Sequence, residues 1–414
     1  MTIPSIEGLL RDLAPQVLAA LLRRYGGTQF DICEDAVQDA MLAAHQQWPV
    51  DGLPADPLAW LITTARRRLI DQIRSETSRR ERENRQVALA HPLADAISTQ
   101  ADDSVRLLLL CCHPALTTPA QIALTLRAVA GLTTAQIAHA YLVPESTVAQ
   151  RITRAKARIR ESGSNFPDPA SVSDRLDPVL AVIYVMFSEG HTVAAGEELN
   201  DVRLTDEAIR LTRLLHASLP DNREVAGMLA LLLLTDARRP ARTSPTGMLI
   251  PLDEQDRSHW NRDLIAEGVA ILEQTLPGAT PAGPYALQAA IAAVHDEATT
   301  AASTDWPQIL LLYRLLERQT DNPVVTLNAA VAEAMVSGPL AGLTAVERLV
   351  QSGRQVDPQR VAAVRAHLLE RAGRTVDAID EYRNAAKGTR SIPERDYQMR
   401  RAQHLRDDDV PSSV

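Results

Sequence analysis

Residues 142–161, LVPESTVAQRITRAKARIRE, bring together side chains that can pair with DNA base edges and with phosphates. The stretch holds five Arg or Lys and two Glu, in a chain whose net charge is −9. Arginine pairs with guanine edges, glutamine with adenine edges, and small hydroxyl groups with bases or phosphates. The candidate DNA-contact residues are Ser146, Thr147, Gln150, Arg151, Thr153, Arg154, Lys156 and Arg158.

A helix must carry these residues, because the apolar residues between them recur at helical spacing. At about 100° per residue, Val148, Ile152, Ala155 and Ile159 fall on one side, opposite the polar set. We take Gln150 and Arg154 as base contacts. The candidate phosphate contacts are Arg151, Lys156 and Arg158.

The segment before this helix predicts a helix-turn-helix. Gly131 ends one helix, and Thr133 can cap a short helix that continues to Ala140. Pro144 then suits the first turn of the longer basic helix. A short helix, a tight turn and a longer amphipathic helix are typical of DNA-binding proteins. The alternative is a surface helix with a solvated basic face.

A second basic helix is predicted at 57–83, with its own acidic neighbour. From Arg66 to Arg85 the chain holds eight Arg against four acidic residues. A preceding helix at about 31–46 is expected to expose acidic and polar side chains, followed by a proline-containing loop, WPVDGLPADP. For Trp60, a role in the core is preferred over a role in stacking on a DNA base. The exposed residues expected on the acidic helix are Glu34, Asp35, Gln38 and Asp39.

This order of elements resembles the sigma-70 superfamily, and within it the extracytoplasmic-function (ECF) type, which keeps regions 2 and 4. EDAVQDAMLAA resembles the region 2.2 helix, and WLITTARRRLIDQIRSE resembles regions 2.3 and 2.4. LTTAQIAHAYLVPESTVAQRITRAKARI resembles region 4.2. The resemblance covers about residues 8–161.

The resemblance implies specific partners for these residues. Asp35, Gln38 and Asp39 would contact the β′ clamp helices of core RNA polymerase, whose β flap is a further partner. Arg66, Arg67 and Arg74 would bind promoter phosphates near the −10 element. The basic helix at 145–161 would read the −35 element. The implied protein is all-α and cytoplasmic, is not an enzyme, and uses no cofactor or metal.

Residues beyond about 170 have no counterpart in ordinary ECF factors. VLAVIYVMFSEG and GPYALQAAIAAVHDEA resemble a subgroup with a long helical C-terminal extension. That subgroup commonly has Asn and Tyr where this chain has Ser188 and His191. Gly338 and Gly373 lie 35 positions apart, which with LLERAGRTVDAIDEYRNAA indicates tetratricopeptide-like hairpins. We expect the extension to contact the sigma domains and to regulate them, which truncation after about residue 165 tests.

Charge and composition agree with this division of the chain. Residues 1–165 hold 18 Lys/Arg and 17 Asp/Glu, a net of +1, and the remainder holds 25 and 35, a net of −10. The predicted organisation is region 2 at 1–85, a linker at 86–104, region 4 at 105–162, a linker at 163–178, a helical extension at 179–280 and tetratricopeptide-like repeats at 281–407.

Other classes of function have weak support in the sequence. The start of the chain does not read as a signal peptide, and the most apolar run, at 228–234, is too short to span a bilayer. The CCH run at 111–113 is interpreted as core and not as a zinc site. Glu189, His191 and Asp305 lack the spacing of a helical metal site. The charged segments at 236–242 and 253–260 are expected to pair with one another structurally.

Two rival functions remain open from the sequence. One is a ligand-sensing helix-turn-helix regulator that acts without replacing a sigma factor, and it predicts tight duplex binding in the absence of polymerase. The other is an interaction scaffold whose sigma-like half has lost its function, and it predicts no polymerase binding.

Overall fold

The computed structural model describes residues 6–83, 102–141, 143–163, 175–193, 195–196, 198–276 and 281–408. These residues are almost wholly helical, which confirms the predicted all-α class. Within them, extended structure is limited to a short parallel pair, β1 (Ala195–Gly196) with β2 (Arg390–Ser391), and an isolated bridge between Thr243 and Leu249. None of the helices in these ranges is both long and apolar enough to cross a membrane.

The chain divides into two compact units, Met1–Val185 and Met186–Val414. The helices of the first unit are α1 (Ile6–Tyr25), α2 (Phe30–Asp51), α3 (Pro57–Glu83), α4 (Asp102–Cys111), α5 (Thr118–Ala128), α6 (Thr134–Ala140) and α7 (Glu145–Glu161). The division falls inside α8 (Leu176–His191). Helices α4 and α8 therefore begin inside the predicted linkers, while 84–101 and 164–174 lie outside the described residues.

Helices α1, α2 and α3 pack on one another through aliphatic side chains. Leu61, Ala65 and Leu69 of α3 are fully buried and recur at the spacing of one helix face. Asp56 caps α3, since its carboxylate accepts the backbone N–H of Ala59 at 2.9 Å. The long basic helix therefore has an apolar stripe that fixes which side faces outward.

The end of α2 differs from the prediction. The helix continues through Pro49 to Asp51, although a loop was predicted from Trp48. Trp48 is buried, and its ring packs edge-to-face on Trp60 with centroids 5.5 Å apart. Burial of this ring holds the last turn in helical form, and Gly52, with φ of 84°, ends it. The packing agrees with the interpretation of Trp60 as a core residue.

The second unit consists of helices that pack mainly on their neighbours in the chain, and residues 237–261 form the longest connection among its described residues. After α8 its helices are α9 (Val202–Ser218), α10 (Arg223–Asp236), α11 (Arg262–Thr275), α12 (Pro284–Glu297), α13 (Trp306–Glu317), α14 (Pro323–Ser337), α15 (Pro339–Gln351), α16 (Pro358–Arg371), α17 (Thr375–Gly388) and α18 (Ile392–Asp408).

The glycines that suggested a repeat lie at equivalent turns. Gly338 joins α14 to α15 with φ of 91°, and Gly373 joins α16 to α17 with φ of 71°. Both positions favour glycine because other residues rarely adopt positive φ. Leu349 of the first pair and Tyr382 of the second are buried in the cores of these pairs. Helical hairpins thus occur where they were expected, and their assignment to the tetratricopeptide class stays a prediction.

Candidate nucleic-acid and polymerase interfaces

Helix α7 has the two faces that its sequence predicts. Val148, Ile152, Ala155 and Ile159 are its buried residues. On the other side Ser146, Gln150, Thr153, Arg154 and Arg158 are exposed, and Thr147 and Arg151 are partly exposed. The Thr153 hydroxyl donates to the carbonyl of Ala149 at 2.9 Å. The candidate base contacts Gln150 and Arg154 therefore stand on a solvent-facing polar surface.

The short helix before α7 is fixed by a reciprocal cap. The Thr133 hydroxyl accepts the backbone N–H of Gln136 at 3.2 Å, and the Gln136 side-chain oxygen accepts the backbone N–H of Thr133 at 2.9 Å. This is a capping box, which satisfies two N–H groups at the start of a helix. Gly131, with φ of 67°, lies against the side chain and backbone of Arg11. The predicted helix-turn-helix is thus present, with α6 and α7 packed on each other.

The predicted polymerase-binding residues share an exposed surface of α2. Asp35, Gln38 and Asp39 are all exposed. Burial of the carboxyl group and the negative charge of Glu34 raise the pKa of Asp35. A carboxylate held near other acids favours a basic partner, because a positive charge relieves the repulsion. The surface therefore suits a cationic protein partner.

Acidic residues of α2 join it to α5 and α7. Glu34 was expected to be exposed, and that expectation is wrong, since only 9% of the residue is accessible. Its carboxylate accepts from Nε of Arg127 at 3.2 Å and from Lys156. Asp31 lies 3.4 Å from Nζ of Lys156 and 3.2 Å from Arg160. The five side chains form one charged junction that joins α2 to α5 and α7.

Lys156 therefore differs from the other candidate phosphate contacts. Its side chain is 15% exposed, and its ammonium group lies 5.6 Å from the ring centroid of Phe30 as well as beside the two acids. Arg151 and Arg158 do not take part in this junction. In this arrangement Lys156 connects α7 to α2, and a phosphate contact would require it to leave these acids.

The candidate −10 residues lie along α3. Arg67 and Arg74 are exposed, and Arg66 is partly buried. Arg67 and Arg74 lie on the side of the helix opposite the buried Leu61 and Leu69, and Arg66 lies between the two sides. Side chains after Arg74 on this helix lie outside the described residues. The structure thus places the three arginines on one helix.

The remaining chemical candidates are structural. Cys111 and Cys112 are buried free thiols, and burial raises the pKa of both. Within the described residues, no cluster of His, Cys, Asp or Glu could hold a metal ion. The charged segments 236–242 and 253–260 were expected to pair with one another, but the carboxylate partner of Arg238 is Asp296, at 2.6 Å. Arg238 contacts the segment 253–260 through the ring of Trp260, whose centroid is 5.5 Å from its guanidinium carbon.

Comparison with known proteins agrees with the geometry. The family model described as Sigma-70 region 2 matches residues 9–79, and that described as Sigma-70, region 4 matches 106–159. Residues 175–276 match a family of unknown function (DUF6596). An uncharacterized protein of Rhizobium meliloti (strain 1021) is 40% identical over 411 residues, which is 97% of this chain and 96% of that protein. No solved structure matches the chain significantly.

The matched ranges contain the helices that carry the candidate interfaces. Region 2 contains the acidic surface of α2 and the arginines of α3, and region 4 contains the helix-turn-helix. Regions 2 and 4 give the chain a sigma-factor role, in which core RNA polymerase and promoter DNA are the partners. The chain belongs to the sigma-70 family.

Proposed function

We propose that this chain is an ECF-type sigma factor, which binds core RNA polymerase and directs promoter-specific initiation in the cytoplasm. The observation that carries the proposal is the polar face of α7, where Gln150, Arg154 and Arg158 are exposed opposite a fully packed stripe. Such a face can enter a major groove while the apolar side holds the helix in its domain. The protein acts by binding and by stabilising opened DNA, not by covalent catalysis.

Each exposed surface is assigned to one partner. Asp35, Gln38 and Asp39 contact the β′ clamp helices, and region 4 contacts the β flap. Arg66, Arg67 and Arg74 hold the backbone near the −10 element, since arginine neutralises phosphates. Helix α7 reads the −35 element.

Promoter binding requires the charged junction to open. The −10 and −35 elements are about 25 base pairs apart, or about 85 Å at ~3.4 Å per base pair. In the structure, Asp31 of α2 and Lys156 of α7 are 3.4 Å apart. Regions 2 and 4 therefore have to separate before both elements are read. Polymerase binding on α2 and DNA binding on α7 supply the energy for this change.

We also propose that the C-terminal extension regulates the sigma regions through intramolecular contact and is needed for full activity. The support is its size, since in this chain helices continue for more than two hundred residues beyond region 4. A relative from Rhizobium meliloti is matched over 96% of its length, so the match includes the extension. An extension on the same chain could couple transcription initiation to the conformation of its own helices.

Transcription in vitro tests the proposal directly. Purified protein and bacterial core RNA polymerase are incubated with a library of promoter fragments, and start sites are mapped. We expect specific starts, lost in Asp35→Ala/Asp39→Ala and in Arg154→Ala, and kept in Glu7→Gln, which removes one charge from the exposed start of α1. Polymerase-free binding to defined duplex sites, without specific starts, would favour the ligand-sensing regulator instead.

A further inference from the structure

The second unit contains a cavity of about 800 Å³ between α12, α13, α14, α16 and the segment that joins α10 to α11. Its wall contains arginine side chains as well as aromatic rings. This volume lies in the range of sites that bind small molecules, which are mostly apolar with a few placed polar groups. None of the residues assigned above to promoter or polymerase recognition lines this cavity.

Arg257 is the central polar group of the wall. The residue is 8% exposed, and its Nη1 donates to the carbonyl oxygens of His295, at 2.6 Å, and Ala298, at 2.5 Å. Its guanidinium lies 4.6 Å from the ring centroid of Trp260. Among the described residues, no carboxylate forms an ion pair with it. The negative charge that acts on Arg257 is that of Asp296, which is ion-paired with Arg238, so two arginines share one carboxylate. An anion in the cavity would therefore stabilise the buried guanidinium.

The neighbouring carboxylate is already engaged. Asp296 accepts from Nε of Arg238 at 2.6 Å, and Arg238 also donates to the carbonyl of Ala292 at 2.7 Å. Arg371, an exposed residue at the end of α16, adds a further positive charge to the wall. Asp253 is the acid among the lining residues. The wall therefore has an excess of positive charge near Arg257.

The histidines do not add to that charge at neutral pH. Burial and the charges of Arg238 and Arg257 lower the pKa of His295 to about 3. Burial also lowers the pKa of His367. Neutral imidazoles can donate or accept one hydrogen bond each and leave anion recognition to the guanidinium groups.

Aromatic side chains supply the apolar part of the wall. Trp306 packs edge-to-face on His295, with ring centroids 5.2 Å apart, and Tyr313 lies one to two turns further along α13. Ile291 and Met335 also line the space. Flat apolar surfaces beside a guanidinium suit a molecule that has an anionic end and an apolar or aromatic body.

We propose that this cavity binds a small organic anion, whose carboxylate or phosphate group pairs with Arg257 and whose apolar body packs against Trp306 and Tyr313. The planar guanidinium matches both anionic groups in a two-point contact. Arg371 lies at the rim and strengthens the attraction. The proposal does not depend on the sigma role, because binding is measured without polymerase or DNA.

Matched pairs of probes test the charge requirement. Benzoate and indole-3-acetate are titrated into the full-length protein by calorimetry, each beside its neutral amide, benzamide or indole-3-acetamide. We expect one-to-one binding of at least one anion, with its neutral counterpart weaker by about tenfold or more, as loss of a charge-assisted contact predicts. Binding of the anions no tighter than the amides would overturn the proposal.

Variants locate the site. Arg257→Lys keeps the charge and removes the planar fork, and Arg371→Gln changes only an exposed side chain, so that a folding defect in the first leaves the second informative. Both should weaken anion binding, whereas Arg318→Gln, which removes an exposed arginine outside the cavity wall, should not. Equal affinity in wild type, Arg257→Lys and Arg371→Gln would overturn the assignment. So would binding of an acidic peptide where no small anion binds.

Discussion

Glu34 of α2 and Lys156 of α7 form an ion pair in which the two side chains are 12% and 15% exposed. Arg127 of α5 donates to the same carboxylate. Removing one member of such a pair leaves the other charge buried without compensation, which is costly. A phosphate on Lys156 would bring a third negative charge beside Asp31 and Glu34, so the repulsion opposes a phosphate contact while the pair with Glu34 is intact. Opening of the junction is thus linked to DNA binding.

Weakening the junction should increase binding of the free protein to duplex DNA. In Asp31→Asn/Glu34→Gln the side chains keep their size and lose the charges that hold Lys156 and Arg160. Each additional phosphate that the protein neutralises makes the slope of log K against the logarithm of the salt concentration more negative by about 0.9. We expect the slope to become steeper by about one to two units, measured by fluorescence anisotropy on a duplex of arbitrary sequence.

Two controls separate this effect from a general change of charge. Glu7→Gln removes one negative charge from an exposed position of α1 and should leave the slope unchanged. Adding Lys156→Gln to the double variant should remove about one unit of the gain. A slope that is identical in wild type and Asp31→Asn/Glu34→Gln contradicts the linkage.

Truncation of Arg154 and truncation of Arg158 should change binding to the −35 element in different ways. Arg154 faces outward from the centre of α7, and we assign it to a base edge, whereas Arg158 is assigned to a phosphate. Arg154→Ala should cost about 1–3 kcal/mol at one position of the −35 element and relax the preference there. Arg158→Ala should weaken all sites alike. Competition among randomised −35 sequences with holoenzyme measures both, and the same loss of preference in both variants would reject the assignment.

The faces of α2 and α7 were predictable because helical periodicity is local. Val148, Ile152 and Ile159 lie at spacings that the sequence displays directly, and their burial follows. The same reasoning located the exposed Asp35 and Asp39. These predictions need no knowledge of what packs against the helix beyond the existence of a core.

The junction and the cavity were missed because their partners are far apart in the chain. Glu34 lies 93 positions from Arg127 and 122 from Lys156, so its sequence context shows only an acid beside other acids. Arg257 reaches carbonyl groups 38 and 41 positions away, in a segment where neighbouring charges suggested local pairing. Tertiary contacts of this kind override what a short stretch indicates about exposure.

Loss of the cap on α6 should loosen the helix-turn-helix. Thr133→Ala removes the hydroxyl that accepts from Gln136, at a cost of about 1 kcal/mol. Thr134→Ala changes the next residue, already inside the helix, and is the matched control. Hydrogen exchange of the amides in α6 measures the difference, and we expect faster exchange in Thr133→Ala alone. Equal exchange in the two variants would show that packing on α7 holds α6 without the cap.

Glu189 should make the stability of the second unit depend on pH. Burial raises its pKa from 4.5 to about 7, with a smaller opposing effect of Arg360, and one of its carboxylate oxygens is buried without a hydrogen bond within the described residues. Because the folded form holds the proton more tightly than the unfolded form, its contribution is complete below pH 4.5 and is lost as pH rises through 7.

Glu189→Gln isolates that contribution, since the amide keeps the shape of the protonated acid and does not titrate. We expect wild type and variant to unfold at similar temperatures at pH 4, and the variant to be more stable at pH 8. Because Glu189 is only partly buried, the expected difference is about 1 kcal/mol, or roughly 2–4 °C for a unit of this size. Calorimetric scans across this range measure it. A difference that stays constant with pH would mean that Glu189 titrates alike in both states, whereas a variant less stable at pH 8 would mean that its ionised form is favoured by the fold.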